Sequence, residues 1–232
     1  MNNFCAVIFD LDGVIADTHP LHTIAWRRLL EEQGKKPTEA ELAVIREGKK
    51  RTDILVQFFG ALSAEEIYNL GVRKDELLRT ASEKVKPVAG LIEFLDELET
   101  FQIPKAVATS ASRLRAEKIL SELHLSKRFV AVITGDDVQR GKPDPSIFLL
   151  AANHLGSRAS EVLVIEDSIA GVRAAKSAGM KCVGLAAGDF TAVLYQSGAD
   201  YVIPGFSKIS WLDLCEIMDT SSVELASELG ST

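Results

Sequence analysis

The chain has 232 residues, of which 47% are hydrophobic and 25% are charged, and its formal net charge is −7. This profile is that of a globular protein with a substantial core, and the acidic balance argues against a nucleic-acid-binding protein, which usually carries a basic face. Three widely spaced cysteines without a CxxC pair indicate reduced thiols. No apolar run approaches the roughly 20 residues of a membrane span, so we expect no interaction with membranes. We also expect the protein to be cytoplasmic and monomeric.

Six short apolar runs rich in β-branched residues predict buried strands. They occupy residues 5–9, 106–109, 130–134, 162–165, 182–185 and 201–203. Helical periodicity lies between them, as in the stripe formed by Leu91, Leu95 and Leu98. This alternation predicts an α/β protein in which helices cover both faces of a parallel sheet.

Residues 18–84 interrupt the alternation, because they show helical periodicity and no convincing strand. We therefore predict an all-helical segment of residues 18–84, inserted after the first strand of a core formed by residues 1–17 and 85–220. Residues 221–232 are small and polar, which predicts a loosely ordered surface tail.

The first strand ends in two acids, Asp10 and Asp12, followed by Gly13. Residues at i and i+2 of an extended chain lie on the same side, and ligands of open α/β sheets bind at the carboxyl ends of the strands. Two carboxylates so close together repel each other, so a proton or a divalent cation is expected between them. Taken alone, the pattern also fits a turn with solvated acids.

Two further segments are candidates for binding phosphate. Ser110 follows a predicted strand and precedes a helix, where a hydroxyl and backbone amides can hold a phosphate; a plain helix N-cap is the alternative. Lys142 lies between Gly141 and Pro143 at a predicted helix start and could balance phosphate and carboxylate charge. An exposed lysine beside a helix-initiating proline is the alternative there.

A second acid pair, Glu166 and Asp167, ends the predicted strand 162–165 and leads into a helix. Hard oxygen ligands of this kind suit Mg²⁺, which keeps several waters and a substrate oxygen. A helix N-terminus with a favourable dipole contact is the alternative.

All four segments follow predicted parallel strands, so they meet at one edge of the sheet. Together they supply a nucleophile, an acid/base, a metal site and cations for phosphate, which is the set of groups needed for phosphoryl transfer.

In these four motifs, from Phe9 to Ser168, the sequence closely resembles the haloacid dehalogenase superfamily. The resemblance implies a Rossmann-like core with a helical cap inserted after the first motif. It implies that Asp10 is the nucleophile that forms an aspartyl phosphate and that Asp12 is the general acid/base. It also implies that Ser110 and Lys142 bind the phosphoryl group. Mg²⁺ would be held by Asp10, the backbone carbonyl of Asp12 and Asp167, with Glu166 nearby.

Within the superfamily the chain is most similar to the β-phosphoglucomutase-like branch, through its segments around His22, at residues 48–53 and at residues 110–113. The resemblance implies substrate-binding residues at His22, Gly48, Lys49, Arg51, Ala111, Ser112 and Arg113. Arg51 matches an arginine that binds the distal phosphate, and Ser112 and Arg113 match a serine and a lysine of the second phosphate site. The chain departs from this pattern at two positions. Arg113 replaces a lysine, which keeps the positive charge but changes its hydrogen-bonding geometry, and Leu114 stands where the best-known mutases carry a polar asparagine. His22 also fits a packing role in the cap.

These residues favour a Mg²⁺-dependent phosphohexomutase that acts on a sugar phosphate through an aspartyl phosphate. The alternative is a sugar-phosphate phosphatase of the same superfamily, in which Asp12 activates water. A phospho-accepting signalling module of the receiver type is a weaker alternative, because such a module has no cap. Asp12 argues against the dehalogenases, which lack this second acid.

Overall fold

The computed structural model describes residues 6–42, 45, 51–80 and 85–219. The predictions for Cys5, Gly48, Lys49 and the tail at 221–232 lie outside the described residues.

A six-stranded parallel sheet forms the centre of the molecule. Its strands are β1 (Ala6–Phe9), β2 (Lys105–Ala108), β3 (Ala131–Ile133), β4 (Val162–Glu166), β5 (Lys181–Leu185) and β6 (Tyr201–Ile203). The spatial order is β3-β2-β1-β4-β5-β6. The chain therefore adds β2 and β3 on one side of β1, and then β4, β5 and β6 on its other side. The point where the direction reverses lies beside β1, where ligands of open α/β sheets bind. The predicted α/β fold is confirmed.

Helices cover both faces of the sheet. They are α5 (Leu91–Thr100), α6 (Arg113–Glu122), α7 (Ser146–Leu155), α8 (Ile169–Ser177), α9 (Phe190–Gln196) and α10 (Trp211–Asp219). Because successive side chains of a strand point to opposite faces, Val7 and Phe9 pack with α5, α6 and α10, whereas Ile8 packs with α7, α8 and α9. All of these strand residues are fully buried, which explains their continuous apolar sequence.

Between β1 and α5 the described residues form further helices and contribute no strand to the sheet. These helices are α1 (His19–Glu32), α2 (Glu39–Leu42), α3 (Arg51–Phe59) and α4 (Ala64–Thr80). They pack around their own apolar cluster, in which Trp26 is 1% exposed and Leu55 is fully buried. The inserted helical cap is thereby confirmed, whereas its boundaries at residues 18 and 84 stay a prediction.

The two connections between cap and core run side by side. The backbone N–H of Asp17 donates to the carbonyl of Lys86 at 2.9 Å, and the N–H of Val88 donates to the carbonyl of Ile15 at 3.0 Å. These bonds hold the entry to the cap beside Asp10 and Asp12. Across the described ranges, none of the helices combines the length and the apolar character needed to cross a membrane.

Candidate active site

A cavity of about 300 Å³ lies between the carboxyl edge of the sheet and the cap helices. Most of the predicted site residues line it, namely Asp10, Asp12, His22, Arg51, Ser110, Ala111, Ser112, Lys142, Glu166 and Asp167. The strand ends and the helix starts that follow them account for this convergence, because parallel strands present their carboxyl ends at the same edge.

Lys142 connects two carboxylates at the base of the cavity. Its ammonium nitrogen donates to Asp10 Oδ1 at 2.6 Å, to Glu166 Oε1 at 2.5 Å and to the carbonyl of Ala108 at 3.1 Å. Burial raises the pKa of Asp10 to about 8, although the Lys142 charge opposes this shift. Burial alone would lower the pKa of Lys142, but the two carboxylates outweigh it and hold that pKa above its ordinary value. A phosphoryl group arriving at Asp10 would meet this fixed cation.

Glu166 is fully buried, and both of its carboxylate oxygens accept hydrogen bonds from protein donors. Oε2 accepts from the amides of Asp167 and Ser168 and from the Ser168 hydroxyl, each at 2.8 Å, while Oε1 receives Lys142. A side chain on Gly171, in the first turn of α8, would overlap this carboxylate, which explains the glycine within a helix. Glu166 is thus placed to orient Lys142.

Asp12 is held by a different set of donors. Arg115 binds both carboxylate oxygens, with Nη1 and Nη2 each 2.5 Å from one of them, and Thr18 donates to Oδ1 at 2.5 Å. His22 Nε2 lies 3.4 Å from the same oxygen. Burial raises the pKa of Asp12, but Arg115 and His22 outweigh burial and hold this pKa well below its usual range.

Asp167 lines the same cavity as Asp10 and contacts the His19 ring. Gly13 has a positive φ of 78°, and a side chain there would overlap both Asp167 and His19. Burial raises the pKa of Asp167, although the His19 hydrogen bond opposes it. The glycine therefore permits the Asp10–Asp12 turn to approach the second acid pair closely.

The donor set suits Mg²⁺. Asp10 and Asp167 are buried carboxylates on the same cavity, and Mg²⁺ is usually held by one or two carboxylates together with waters and substrate oxygens. No group of three or more His, Cys, Asp or Glu side chains that could hold a metal is found within the described ranges. A Mg²⁺ site at this edge would draw on the carboxylates of Asp10 and Asp167, with waters and substrate oxygens completing the coordination.

Ser110 provides a polar group that is ready for a ligand. Its hydroxyl oxygen is buried, lines the cavity and has no hydrogen-bond partner among the described residues. It precedes α6, whose first amides carry the positive end of the helix dipole. The neighbouring Thr109 hydroxyl accepts from the Ala111 amide at 3.1 Å and shapes the turn. The arrangement is able to receive phosphate oxygens beside Lys142.

The cap contributes cations and a histidine. Lys74 is 4% exposed, and its ammonium nitrogen lies 3.1 Å from His22 Nδ1. Burial lowers the pKa of Lys74 to about 7 and that of His22 to about 3. Arg51 lines the cavity while it pairs with Asp75 and donates to the Gly71 carbonyl at 3.3 Å.

Arg113 is not brought to the cavity. Its guanidinium donates to Asp137 at 2.6 Å and to the Val132 carbonyl at 3.2 Å, and it does not line the cavity among the described residues. Leu114 is 81% exposed. Of the residues predicted for a second phosphate site in this segment, only Ser112 faces the cavity.

Arg115, Lys74 and His19 line the cavity although sequence reasoning did not single them out. A signal for Arg115 was available, because residues three apart share a helix face and Ser112 was already a candidate. Lys74 interrupts the apolar stripe of α4, which Leu70 and Leu77 continue on either side. A lone cation at such a position is uncommon unless it has a partner.

The chain matches known proteins over most of its length. A family model described as haloacid dehalogenase-like hydrolase matches residues 7–185. The phosphorylated carbohydrates phosphatase of Thermotoga maritima is 38% identical over 177 residues, which are 76% of this chain and 82% of that protein. The β-phosphoglucomutase of Bacillus subtilis is 34% identical over 207 residues, 85% of this chain and 88% of that protein. The crystal structure of a β-phosphoglucomutase from Clostridium difficile superimposes with a TM-score of 0.83 at 25% identity, covering 93% of this chain and 97% of that one.

Proposed function

The chain belongs to the haloacid dehalogenase-like hydrolases, and we propose that it is a Mg²⁺-dependent phosphatase of a phosphorylated carbohydrate. It is an enzyme of the phosphatase and phosphomutase type within this family. The observation that carries the proposal is the buried, unpartnered Ser110 hydroxyl on the same cavity as the Asp10–Lys142 pair. These groups can hold the oxygens of a phosphoryl group whose phosphorus Asp10 attacks.

The reaction proceeds in two steps. Asp10 attacks phosphorus in its ionised form, which the charge of Lys142 favours, while Asp12, protonated for this step, gives its proton to the sugar oxygen that leaves. Lys142 and Ser110 bind the phosphoryl oxygens and stabilise the charge that develops on them. Asp12 then removes a proton from the water that attacks the aspartyl phosphate, which regenerates Asp10 and releases inorganic phosphate.

Mg²⁺ would be held by Asp10, Asp167 and the backbone carbonyl of Asp12. When bound, it supplies positive charge that offsets the phosphoryl and carboxylate charges. Glu166 takes part indirectly, since it orients Lys142 through a hydrogen bond of 2.5 Å.

Hydrolysis is favoured over mutase activity by the position of Arg113. A mutase must bind a sugar bisphosphate in two orientations, and Arg113 matches a cation of the second phosphate site in such enzymes. Here that guanidinium is bound to Asp137 and Val132. The phosphatase named among the relatives agrees with this preference.

A β-phosphoglucomutase-like phosphohexomutase is the second candidate. Arg51, Ser112 and His22 line the same cavity as Asp10, and mutases occur among the relatives. The two candidates share the first step and differ in whether water or a sugar hydroxyl receives the phosphoryl group.

The test is to incubate the protein with Mg²⁺, β-glucose 1-phosphate and a small amount of glucose 1,6-bisphosphate. We expect release of inorganic phosphate without accumulation of glucose 6-phosphate. Conversion to glucose 6-phosphate that exceeds phosphate release would instead establish the mutase. The Asp10→Asn variant is the control and should show neither product.

The remaining proposals rest on the sequence. They are that the protein acts as a monomer in the cytoplasm and that the cap comprises residues 18–84. The tail at 221–232 has no assigned role in the reaction.

A further inference from the structure

One residue of the cap donates a hydrogen bond to the second acid pair of the core. His19 is the first residue of α1, and its ring nitrogen Nε2 bonds to Oδ2 of Asp167, 148 positions further along the chain. Nε2 is the donor, because an ionised carboxylate only accepts hydrogen bonds. The Asp167 side chain is 8% exposed and that of His19 is 29% exposed. The contact is therefore largely shielded from solvent.

Asp167 depends on this contact more than the neighbouring acids do. Asp10 and Glu166 both accept hydrogen bonds from Lys142, at 2.6 and 2.5 Å. Within the described residues, His19 is the only side chain that donates to Asp167, and no hydrogen bond reaches its second oxygen, Oδ1. Since Asp167 lines the cavity, Oδ1 is the oxygen that this carboxylate has left for a ligand.

The chain segment that carries the imidazole is itself held in place. Thr18, which is 1% exposed, donates to Asp12 Oδ1 at 2.5 Å immediately before His19. One turn later the hydroxyl of Thr23 donates to the carbonyl of His19 at 3.0 Å. The His19 ring therefore reaches Asp167 from a backbone position that is fixed on both sides.

Gly13 provides the space for the pairing. Its φ is 78°, and a Cβ at this position would overlap both His19 Nε2 and Asp167 Oδ2. Both atoms thus lie directly against the turn that follows Asp10. The pairing is built at the entry to the proposed metal site, where the first acid segment meets the second.

The hydrogen bond bears on metal binding because carboxylates that bind metals are commonly held by a further partner. Loss of such a partner typically weakens metal binding about 10–100-fold. Mg²⁺ is demanding in this respect, since it requires nearly octahedral coordination at short distances. A carboxylate held through one oxygen offers the other in a defined direction, whereas an unheld carboxylate loses rotational freedom when the metal binds.

We propose that His19 is a positioning residue that holds Asp167 through Oδ2, so that Oδ1 is available to Mg²⁺. This inference rests on the Mg²⁺ dependence in the proposed function. It adds a residue of the cap to the determinants of metal affinity, because His19 acts on the metal through Asp167 and does for this acid what Lys142 does for Asp10.

The first experiment measures metal binding without substrate. Mn²⁺ favours the same oxygen ligands as Mg²⁺, and electron paramagnetic resonance reports the concentration of free Mn²⁺ during a titration. We expect the Kd for Mn²⁺ to rise about 10–100-fold in His19→Met. His19→Gln has a side chain of similar length that can still donate, so it should restore most of the affinity. Mg²⁺ competition should give the same order of affinities. Equal or tighter Mn²⁺ binding in His19→Met overturns the inference, as does a wild type that binds no Mn²⁺.

Two controls separate positioning from folding. His154 is an exposed histidine on α7, and His154→Met should bind Mn²⁺ as the wild type does. Urea denaturation should show similar stability for His19→Met and His19→Gln. If His19→Met does not fold, His19→Phe takes its place, because it keeps the ring but has no donor. Equal Mn²⁺ affinity in the Phe and Gln variants would contradict the role of the hydrogen bond.

Steady-state kinetics distinguishes this role from substrate binding. The loss of phosphate release in His19→Met should diminish as Mg²⁺ is raised, and the Mg²⁺ concentration for half-maximal activity should rise by the factor found for Mn²⁺. A raised KM for the sugar phosphate at saturating Mg²⁺, with unchanged Mn²⁺ affinity, would assign His19 to the substrate and overturn the inference.

The outcomes also separate this inference from the proposed function. If the Mn²⁺ affinities follow the expected order but the wild type hydrolyses no sugar phosphate, the proposed function fails and the role of His19 stands. If the wild type releases phosphate and His19→Met binds Mn²⁺ as the wild type does, the role of His19 fails alone.

Discussion

The ammonium group of Lys142 lies 2.6 Å from Asp10 Oδ1 and 2.5 Å from Glu166 Oε1. Two carboxylates from separate strand ends thus share one cation that is 3% exposed. Since Glu166 also accepts three hydrogen bonds from Asp167 and Ser168, the position of the cation is set from the side opposite the nucleophile. Removal of Lys142 should therefore affect both the folding stability of the protein and the reactivity of Asp10.

Replacing Lys142 by methionine should be costly for folding as well as for activity. The variant leaves the buried carboxylates of Asp10 and Glu166 without their cation, and removing one partner of a buried ion pair typically costs about 3–5 kcal/mol. Urea denaturation measures the loss in free energy of unfolding, with Lys118→Met as the control, because the Lys118 side chain is 54% exposed. A loss no larger than that of the control would show that the carboxylates do not depend on Lys142.

Gly171→Ala should displace Glu166. Alanine alone would favour helix α8 by about 1 kcal/mol over glycine, but its Cβ would overlap the Glu166 carboxylate. We therefore expect lower stability and a lower rate of phosphate release, because Lys142 loses its fixed partner.

Gly205→Ala is the matched control for Gly171→Ala. Nothing lies within 4 Å of a Cβ built at Gly205, and its φ of 170° is open to any residue. This variant should behave as wild type. Full activity and stability in Gly171→Ala would contradict the proposed dependence of the site on Glu166.

Asp12→Asn should reduce turnover of a sugar phosphate by about 10²–10⁴-fold, the usual contribution of general acid–base catalysis. Formation of the aspartyl phosphate from an aryl phosphate should be less affected, since its leaving group needs no proton. Rapid-quench measurement of both steps should show accumulation of the phosphoenzyme with the aryl ester. Equal, small effects on the two substrates would remove Asp12 from its proposed role.

Substitutions of Trp26 distinguish a role of this side chain in packing the cap from a role in binding the substrate. It is 1% exposed and packs against Phe58 with ring centroids 6.2 Å apart, and it also lines the cavity. Trp26→Ala should cost about 3–5 kcal/mol of unfolding free energy, whereas Trp26→Phe should recover much of that loss. A raised KM with unchanged stability would instead assign Trp26 to substrate binding.

The strands were predictable because strands of a parallel sheet that are buried on both faces have continuous apolar sequences. Runs at 162–165 and 201–203 agree with β4 and β6 to within one residue. The run predicted at 130–134 is longer than β3, which is Ala131–Ile133, and its first residue, Val130, is 65% exposed. Edge positions are only partly covered, so apolar composition defines them less sharply.

The site was predictable where it depended on local spacing. Asp10, Asp12, Ser110, Lys142, Glu166 and Asp167 were all identified from their positions after predicted strands, and all line one cavity. Their partners were harder to predict. Glu166 was a candidate metal neighbour. Its oxygens instead accept hydrogen bonds from Lys142, from backbone amides and from Ser168, because the residues that lead into α8 follow Glu166 directly in the chain.

The sequence by itself determined the parallel sheet, the inserted helices and the acids at the strand ends, since each follows from local periodicity and from the rule that strand ends share an edge. Only the tertiary structure decided that Arg115, and not Arg113, pairs with Asp12, and that Lys74 lies beside His22. These pairings join residues far apart in the chain. They depend on helix rotation and side-chain direction, which packing determines and the spacing of residue types does not encode.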